Sequence, residues 1–182
     1  MTTHLFVRHP PLRCLQGICY GRLDVTPEAD VFADAAATLA PGLPDWPLAT
    51  SPSRRCLHLA DALRMRALDA GRCPPLPVVD DRLRELDFGD WEGRRWDDIP
   101  AASLDAWNAD IAGFAPPNGE SFDGLVDRVA DALAALGTPH VVITHAGVIR
   151  AAHRLAGWDA ANAAAISVPY LQPIRVEVRA PR

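Results

Sequence analysis

Apolar and polar positions follow two different patterns along the chain, and together they predict an α/β fold. Short apolar runs typical of buried strands occur at 5–7, 47–50 and 141–143. Between these runs, apolar residues recur at helical spacing. Because strands alternate with helices, we expect a three-layer α/β/α architecture around a mainly parallel sheet.

Helix boundaries are marked by end signals. Thr26 as N-cap, Pro27 at the first position and Glu28 in the first turn predict the start of a helix that ends near 41–42. Gly157 predicts the end of the last helix. The other helices are predicted from apolar positions at Cys56, Leu59, Ala60, Leu63 and Ala67, then at Phe122, Leu125, Val126, Val129, Leu133 and Leu136, and then at Val148, Ile149, Ala152, Leu155 and Ala156.

Three further segments complete the predicted organisation. The stretch 77–79 is compatible with a strand, and 174–178 alternates like a half-exposed strand, which we place at an antiparallel edge. The segment 91–117 predicts loops and one short helix, an excursion that we expect to act as a lid. We take 1–182 as a single domain, because 182 residues suffice for one α/β core but not comfortably for two.

Composition excludes several classes of function. All 18 basic residues are arginine, which excludes lysine Schiff bases and P-loop lysines, and a net charge of -5 does not favour nucleic-acid or membrane binding. The chain starts without a signal-peptide pattern and has no bilayer-length apolar run, so we expect a cytoplasmic protein. We expect reduced, mostly buried thiols and no metal site from the spacing of Cys14, Cys19, Cys56 and Cys73.

Candidate chemistry begins where two apolar strands each end in a histidine. Arg8 and His9 follow the first strand, and His145 follows the strand at 141–143. Parallel strands deliver their carboxyl ends to one crevice, so we expect both histidines in a single site. Arg54 and Arg55 lie in the first turn of a helix, where the helix dipole disfavours a cation by about 0.3–1 kcal/mol. These cations predict a bound anion.

Phosphate is the anion that fits guanidinium, imidazole and free backbone N–H groups, which Ala146 and Gly147 would add at a helix start. A histidine beside phosphate can attack phosphorus as a neutral imidazole or stabilise the oxygens as an imidazolium. Ester hydrolysis also needs a proton for the leaving oxygen. Glu85, in the acid-rich segment 83–93, is the candidate donor.

Four ordered elements resemble the histidine phosphatase superfamily, also called phosphoglycerate mutase-like, over nearly the whole chain. They are Arg8-His9, Ser51-x-x-x-Arg55, Glu85 with the segment 88–93, and Thr144-His145-Ala146-Gly147. The resemblance implies that His9 is the phosphorylated nucleophile and that Glu85 is the proton donor. It also implies that no metal or cofactor is used, and that the phosphoryl group is bound by Arg8, Arg55 and His145.

Within the superfamily, the short length and the segments 85–93 and 117–122 most resemble the alpha-ribazole phosphatase branch. That branch removes phosphate from alpha-ribazole 5'-phosphate in cobalamin synthesis, which implies a phosphatase acting on a small phosphorylated metabolite. Three alternatives stay open: a broad-specificity sugar or carboxylic-acid phosphatase, a phosphoglycerate mutase-like enzyme, and a catalytically weakened phosphate-ester-binding regulatory protein. The sequence is compatible with a monomer or a homodimer.

The loop after His9 departs from the family pattern. The family usually has glycine next, then Glu-Thr and a nearby asparagine, whereas this chain has Pro10. Proline fixes φ near about -65° and lacks the backbone N–H. We therefore expect weaker phosphate binding or altered specificity, with Arg13 or Arg22 as hypothetical compensating cations.

Other residues have structural interpretations. We expect Arg54 to be a surface or salt-bridge residue rather than a phosphate ligand. Structural or exposed positions are expected for His4, His58, His140 and His153. Packing roles, rather than substrate contacts, are expected for Trp91, Trp96 and Trp107.

Overall fold

The fold is built on a five-stranded sheet, seen in a computed structural model that describes residues 1–25 and 30–178. Its strands are β1 (Thr2–Arg8), β2 (Leu48–Thr50), β3 (Val78–Val79), β4 (Val141–Thr144) and β5 (Pro173–Val178). The strand order is β3-β2-β4-β1-β5. All pairs are parallel except β1 with β5, which is antiparallel. The predicted mainly parallel sheet with an antiparallel edge strand is confirmed.

Helices flank this sheet within the described residues. They are α1 (Asp30–Leu39), α2 (Arg54–Asp69), α3 (Ala101–Ala109), α4 (Phe122–Leu136), α5 (Ala146–Leu155) and α6 (Ala160–Ala165). The start signal predicted at Thr26, Pro27 and Glu28 lies outside the described residues. Helix α6 has no counterpart in the sequence prediction, because its alanine-rich segment lacks a row of large apolar side chains. No helix in the described part combines the length and apolarity needed to cross a membrane.

Strand β1 shows why helices cover both faces of the sheet. Leu5 and Val7 pack with residues of α1 and α2 on one face, and Phe6 packs with α4 and α5 on the other. Strand β4 repeats this alternation over 141–143. Full burial of such a side chain contributes about 1.5–3 kcal/mol. The predicted three-layer α/β/α architecture is therefore confirmed.

The segment 91–117 leaves the sheet and contains the 3-10 turn Trp96–Asp98 and helix α3. Trp91 is almost fully buried, and the Trp96 and Trp107 rings stack with centroids 6.1 Å apart. The rings form one aromatic cluster with Phe88. The tryptophans thus pack together as expected, and Trp96 and Trp107 also line cavities of the protein. Its action as a lid stays a prediction.

The cysteines are free thiols, but they are not mostly buried as predicted. Cys19 and Cys56 are buried, whereas Cys14 and Cys73 are exposed. The two buried thiols lie in apolar clusters, whereas Cys14 lies in a short 3-10 helix and Cys73 in the segment between α2 and β3. Burial raises the pKa of Cys19 to about 12, so this thiol stays protonated. Within 1–25 and 30–178, no group of three or more His, Cys, Asp or Glu side chains has a geometry that could hold a metal ion.

Two of the histidines expected to be structural lie buried near the start of neighbouring strands. His140 bonds through Nδ1 to the Thr138 carbonyl at 2.8 Å. His4 is 1 % exposed, and neither of its ring nitrogens has a partner in the described part of the chain. Burial, reinforced by the nearby His140, lowers the pKa of His4 to about 4. The folded protein therefore holds His4 neutral.

This burial predicts an acid-sensitive fold. Between pH about 6.5 and about 4, unfolded His4 binds a proton that the folded state excludes, so the free energy of unfolding decreases as the pH falls through this window. His4→Leu should reduce that decrease, as measured by urea unfolding at pH 7 and pH 5. The control is Val176→Ala at the cross-strand partner of His4, which should lower stability equally at both pH values. An undiminished pH dependence of the unfolding free energy in His4→Leu would show that His4 does not cause the acid sensitivity.

Candidate active site

The two strand-end histidines lie side by side because of the β1–β4 register. Arg8 pairs with Thr144, so His9 and His145 are the next residues of adjacent parallel strands. The His9 amide continues the pairing by donating to the Thr144 carbonyl at 3.1 Å. The imidazole centroids are 5.2 Å apart and the rings are inclined at 66°. The structure thus brings together the pair that the sequence predicts.

His9 is held as a neutral imidazole with one free ring nitrogen. Its Nδ1 lies 2.7 Å from the carbonyl of Pro10. A carbonyl only accepts, so Nδ1 carries the hydrogen and Nε2 keeps its lone pair. Burial, together with the positive charge of Arg55, lowers the pKa of His9 to about 3. At neutral pH Nε2 therefore keeps the unprotonated lone pair that a nucleophile needs, and the role of His9 as nucleophile stays a prediction.

Arg55 is a fully buried cation beside the two histidines. Its Nε donates to His145 Nδ1 at 3.3 Å. Its terminal nitrogens donate to the carbonyls of Leu23 at 2.9 Å and Gly21 at 2.5 Å. These acceptors are neutral, so its positive charge is not cancelled by a carboxylate at those contacts. The guanidinium therefore leaves positive potential in the cleft, which it also lines.

His145 lies behind the cleft and contacts Arg55 and Ser51. Because its Nδ1 accepts from Arg55, Nε2 carries the proton and donates to Ser51 Oγ at 2.9 Å. Burial and the charge of Arg55 hold the pKa of His145 well below its ordinary value. In this arrangement His145 orients Arg55. Direct contact between His145 and a phosphoryl group stays a prediction.

Arg8 presents a second guanidinium next to His9. It lies 3.7 Å from the centre of the Tyr170 ring, and Nη1 donates to the Val168 carbonyl at 2.8 Å. Its Nε is buried without an acceptor in the described part of the chain. A buried N–H without a partner costs free energy, which a ligand oxygen would recover. This geometry favours an anion beside His9.

Glu85 is oriented by backbone donors. Its Oε1 accepts from Leu86 N at 2.9 Å, and its Oε2 accepts from Gly147 N at 3.1 Å. A Cβ at position 147 would lie 2.2 Å from Oε1, so only glycine allows this approach. The Gly147 N–H is therefore used by Glu85, while Ala146 lines the cleft. A role for Gly147 in phosphate binding stays a prediction.

A residue that the sequence analysis missed holds the backbone of Glu85. Arg128 on α4 donates to the carbonyls of Arg82, Arg84 and Glu85 at 2.7, 2.7 and 3.0 Å. Its charge is balanced by Glu120, which accepts at 2.6 and 2.8 Å. Arg128 lies 43 residues after Glu85, and no local pattern indicates the contact.

Glu92 is a second missed residue, although it belongs to the matching segment 88–93. Its two carboxylate oxygens accept from the amides of Gly21, Arg22 and Leu23 at 2.9–3.1 Å, and from Phe88 N at 3.2 Å. The amides of the loop 21–23 thus donate hydrogen bonds to Glu92, and two carbonyls of the same loop accept hydrogen bonds from Arg55. Glu92 therefore fixes the loop whose carbonyls accept the hydrogen bonds of the Arg55 guanidinium.

These groups line a cleft of about 510 Å³. Arg8, His9, Arg55, Glu85 and Ala146 all reach it, as does Arg150, which the sequence analysis missed although it lies only five residues after His145. Three guanidinium groups thus face one carboxylate, an excess of positive charge suited to phosphate.

The arginines outside this cleft have other contacts. Arg54 pairs with Asp24 at 3.7 Å, as expected for a salt-bridge residue. Arg22, proposed as a compensating cation, instead pairs with Asp87 at 3.3 Å and Glu120 at 3.7 Å. The Arg13 side chain lies outside the described structure.

Comparison with known proteins supplies the family. The profile described as "Histidine phosphatase superfamily (branch 1)" matches residues 5–180. The chain belongs to the histidine phosphatase superfamily. It is 34% identical over 108 residues to phosphoglycerate mutase-like protein 4 of Arabidopsis thaliana, covering 54% of this chain and 47% of the relative. It is 35% identical over 88 residues to a metal-independent phosphoserine phosphatase of the same plant, covering 43% and 37%.

A solved structure matches over a larger share of the chain. Phosphoglycerate mutase from Thermus thermophilus superposes with a TM-score of 0.74 and 29% identity, covering 97% of this chain and 93% of that one. By contrast, this chain spans less than half the length of the curated relatives named above. The alpha-ribazole phosphatase branch is not shown by these comparisons.

The contact between Glu85 and Gly147 gives a sharp prediction. In Gly147→Ala the new Cβ would displace the Glu85 carboxylate, so turnover of an alkyl phosphate should fall roughly 10- to 100-fold. The control is Gly124→Ala in α4, where a Cβ meets its nearest atoms at an ordinary 3.5 Å. Steady-state kinetics of both variants measures the effect on activity, and thermal unfolding measures the effect on stability. Full activity in Gly147→Ala would contradict this geometry.

The Glu92 contacts predict a linked loss of stability and activity. Glu92→Gln replaces one acceptor oxygen by an NH₂ group facing the loop amides, which should destabilise the fold by about 1–3 kcal/mol. It should also lower kcat/KM, because the same loop holds Arg55. Asp90→Asn in the same segment is the matched control, since Asp90 is exposed and bonds Asn118. Equal stability of the two variants in urea unfolding would count against the role of Glu92.

Proposed function

We propose that the protein is a metal-independent phosphomonoesterase that works through a phosphohistidine at His9. The observation that carries this proposal is His9 itself, whose Nδ1 donates to the Pro10 carbonyl and leaves the Nε2 lone pair available, in a cleft that Arg8 and Arg55 also line. Glu85 reaches the same cleft and supplies the acid that the chemistry needs. Membership in the superfamily supports the reaction class.

The proposed reaction has two balanced steps. First, His9 Nε2 attacks phosphorus, the bond to the leaving oxygen breaks, and Glu85 gives that oxygen its proton. Then Glu85, as carboxylate, removes a proton from water, whose oxygen attacks phosphorus and breaks the N–P bond. Phosphate leaves, and His9 and Glu85 regain their starting states. Arg8 and Arg55 stabilise the equatorial oxygens in both steps.

We propose alpha-ribazole 5'-phosphate as the substrate, in cobalamin synthesis. The resemblance of the segments 85–93 and 117–122 to that branch supports this choice. A phosphorylated carboxylic acid is the second candidate, because Arg150 adds a third guanidinium to the cleft that a substrate carboxylate would bind. The phosphoserine phosphatase among the relatives supports this second candidate.

The test is phosphate release in EDTA from alpha-ribazole 5'-phosphate, 3-phosphoglycerate and para-nitrophenyl phosphate. His9→Ala should reduce release at least about 10³-fold. Selectivity for the ribazole ester supports the first candidate, and selectivity for 3-phosphoglycerate supports the second. Absence of His9-dependent release from all three esters would favour a phosphate-ester-binding regulatory protein.

The acid role of Glu85 makes a graded prediction. Glu85→Gln should slow alkyl esters by about 10²–10⁴-fold but affect para-nitrophenyl phosphate much less, since that leaving group needs little protonation. The measurement compares kcat/KM for both ester types in wild type and variant. Equal losses on the two types would remove Glu85 from the acid role.

A further inference from the structure

A second cavity of about 290 Å³ adjoins the cleft, and we call it the side chamber. It shares Glu85, Phe88 and Arg150 with the cleft. Elsewhere its wall is apolar and comes from Leu86, the excursion, α4 and α6, with Gly147 of α5. Its apolar side chains are those of Leu86, Trp107, Ile111, Phe122, Leu125 and Ala164. The chamber is therefore an apolar extension of the site.

Trp107 is a fixed part of the chamber wall. Its ring stacks on Trp96 and meets Phe88 edge-on with centroids 6.0 Å apart. Phe122 and Leu125, which also line the chamber, belong to the buried core. Since packed elements form these parts of the wall, the chamber has a defined shape before any ligand binds.

Arg150 lies where the chamber meets the cleft. Its Nε and Nη2 reach the Ile166 carbonyl only at 3.4 and 3.3 Å, which is long for such bonds. No carboxylate in the described part of the chain lies within salt-bridge distance of it. Arg150 therefore has N–H groups available for a ligand oxygen at this junction.

The chemistry sets the direction of the leaving group. The leaving oxygen must lie opposite His9 Nε2 for in-line attack, and it must contact Glu85 to be protonated. Glu85 borders both cavities. The carbon attached to the leaving oxygen therefore starts at the chamber mouth.

We propose that the side chamber binds an apolar, ring-sized part of the leaving group, while Arg150 binds an oxygen of the substrate at the mouth. The natural substrate is then a phosphate monoester of an alcohol that carries an aromatic or similarly bulky apolar group. This inference rests on the proposed function, because it uses Glu85 as the acid that faces the leaving oxygen.

Turnover of 2-phenylethyl phosphate and ethyl phosphate tests the chamber with similar alcohol leaving groups. The phenyl ester should have a kcat/KM roughly 10- to 100-fold higher, since a ring-sized apolar group fills the chamber. Ala164→Phe fills the chamber and should lower kcat/KM for 2-phenylethyl phosphate to about that for ethyl phosphate, which abolishes this preference. Ala161→Phe, at an exposed position of the same helix, is the matched control and should keep the preference.

Ile111→Trp fills the chamber from a different element, the excursion, and should repeat the effect if Ala164→Phe fails to fold. A phenyl preference that survives either folded chamber variant would overturn the proposal. So would the absence of any preference in the wild type.

A binding experiment separates this proposal from the proposed function. Calorimetry with 3-phenylpropylphosphonate and propylphosphonate needs no turnover and is made with His9→Ala. Tighter binding of the phenyl compound, lost when Ala164→Phe is added, supports the chamber even if no ester is hydrolysed. Equal binding of the two phosphonates contradicts the chamber even if His9-dependent hydrolysis is found.

Discussion

The parallel pairing of β1 with β4 is the constraint on which the site depends. The register that sets Arg8 opposite Thr144 places His9 and His145 side by side at the carboxyl edge of the sheet. A slip of one residue would turn each side chain of a strand to the other face. Apolar residues alternating between two helical layers fix this register, so the core that stabilises the fold also sets the geometry of the candidate site.

Charged residues bound to backbone groups hold the site in place. Arg55 is buried, and its terminal nitrogens donate to the neutral carbonyls of Gly21 and Leu23. Glu92 holds the amides of the same loop, and Arg128 holds the carbonyl of Glu85. Because this backbone bonding does not neutralise Arg55, the cleft stays positive beside a neutral His9. A dianionic phosphate ester is the ligand that this arrangement favours.

The sequence predicts the parts of the site that local signals mark. His9 is predicted because it comes at the end of an apolar strand, and Arg55 is predicted because it lies in the first turn of a helix. Glu92 accepts a hydrogen bond from Gly21, which lies 71 residues earlier in the chain. No local sequence signal distinguishes Glu92 from the acidic residues around it, so this contact could not be predicted. At Pro10 the sequence shows that the backbone N–H is missing, but it does not show which backbone group His9 contacts. The structure shows that His9 bonds to the carbonyl of Pro10, which proline retains. The open alternatives about substrate depend on cavity shape, which only the assembled elements define.

Trapping a covalent phosphoenzyme would show whether His9 carries the phosphoryl group during turnover. Wild-type protein is mixed rapidly with ³²P-labelled para-nitrophenyl phosphate, quenched in alkali, and mapped by peptide mass spectrometry. We expect an alkali-stable, acid-labile phosphoryl group on His9, formed within one turnover and absent from His9→Ala. A phosphoryl group on another residue, or turnover without a covalent phosphoenzyme, would contradict it.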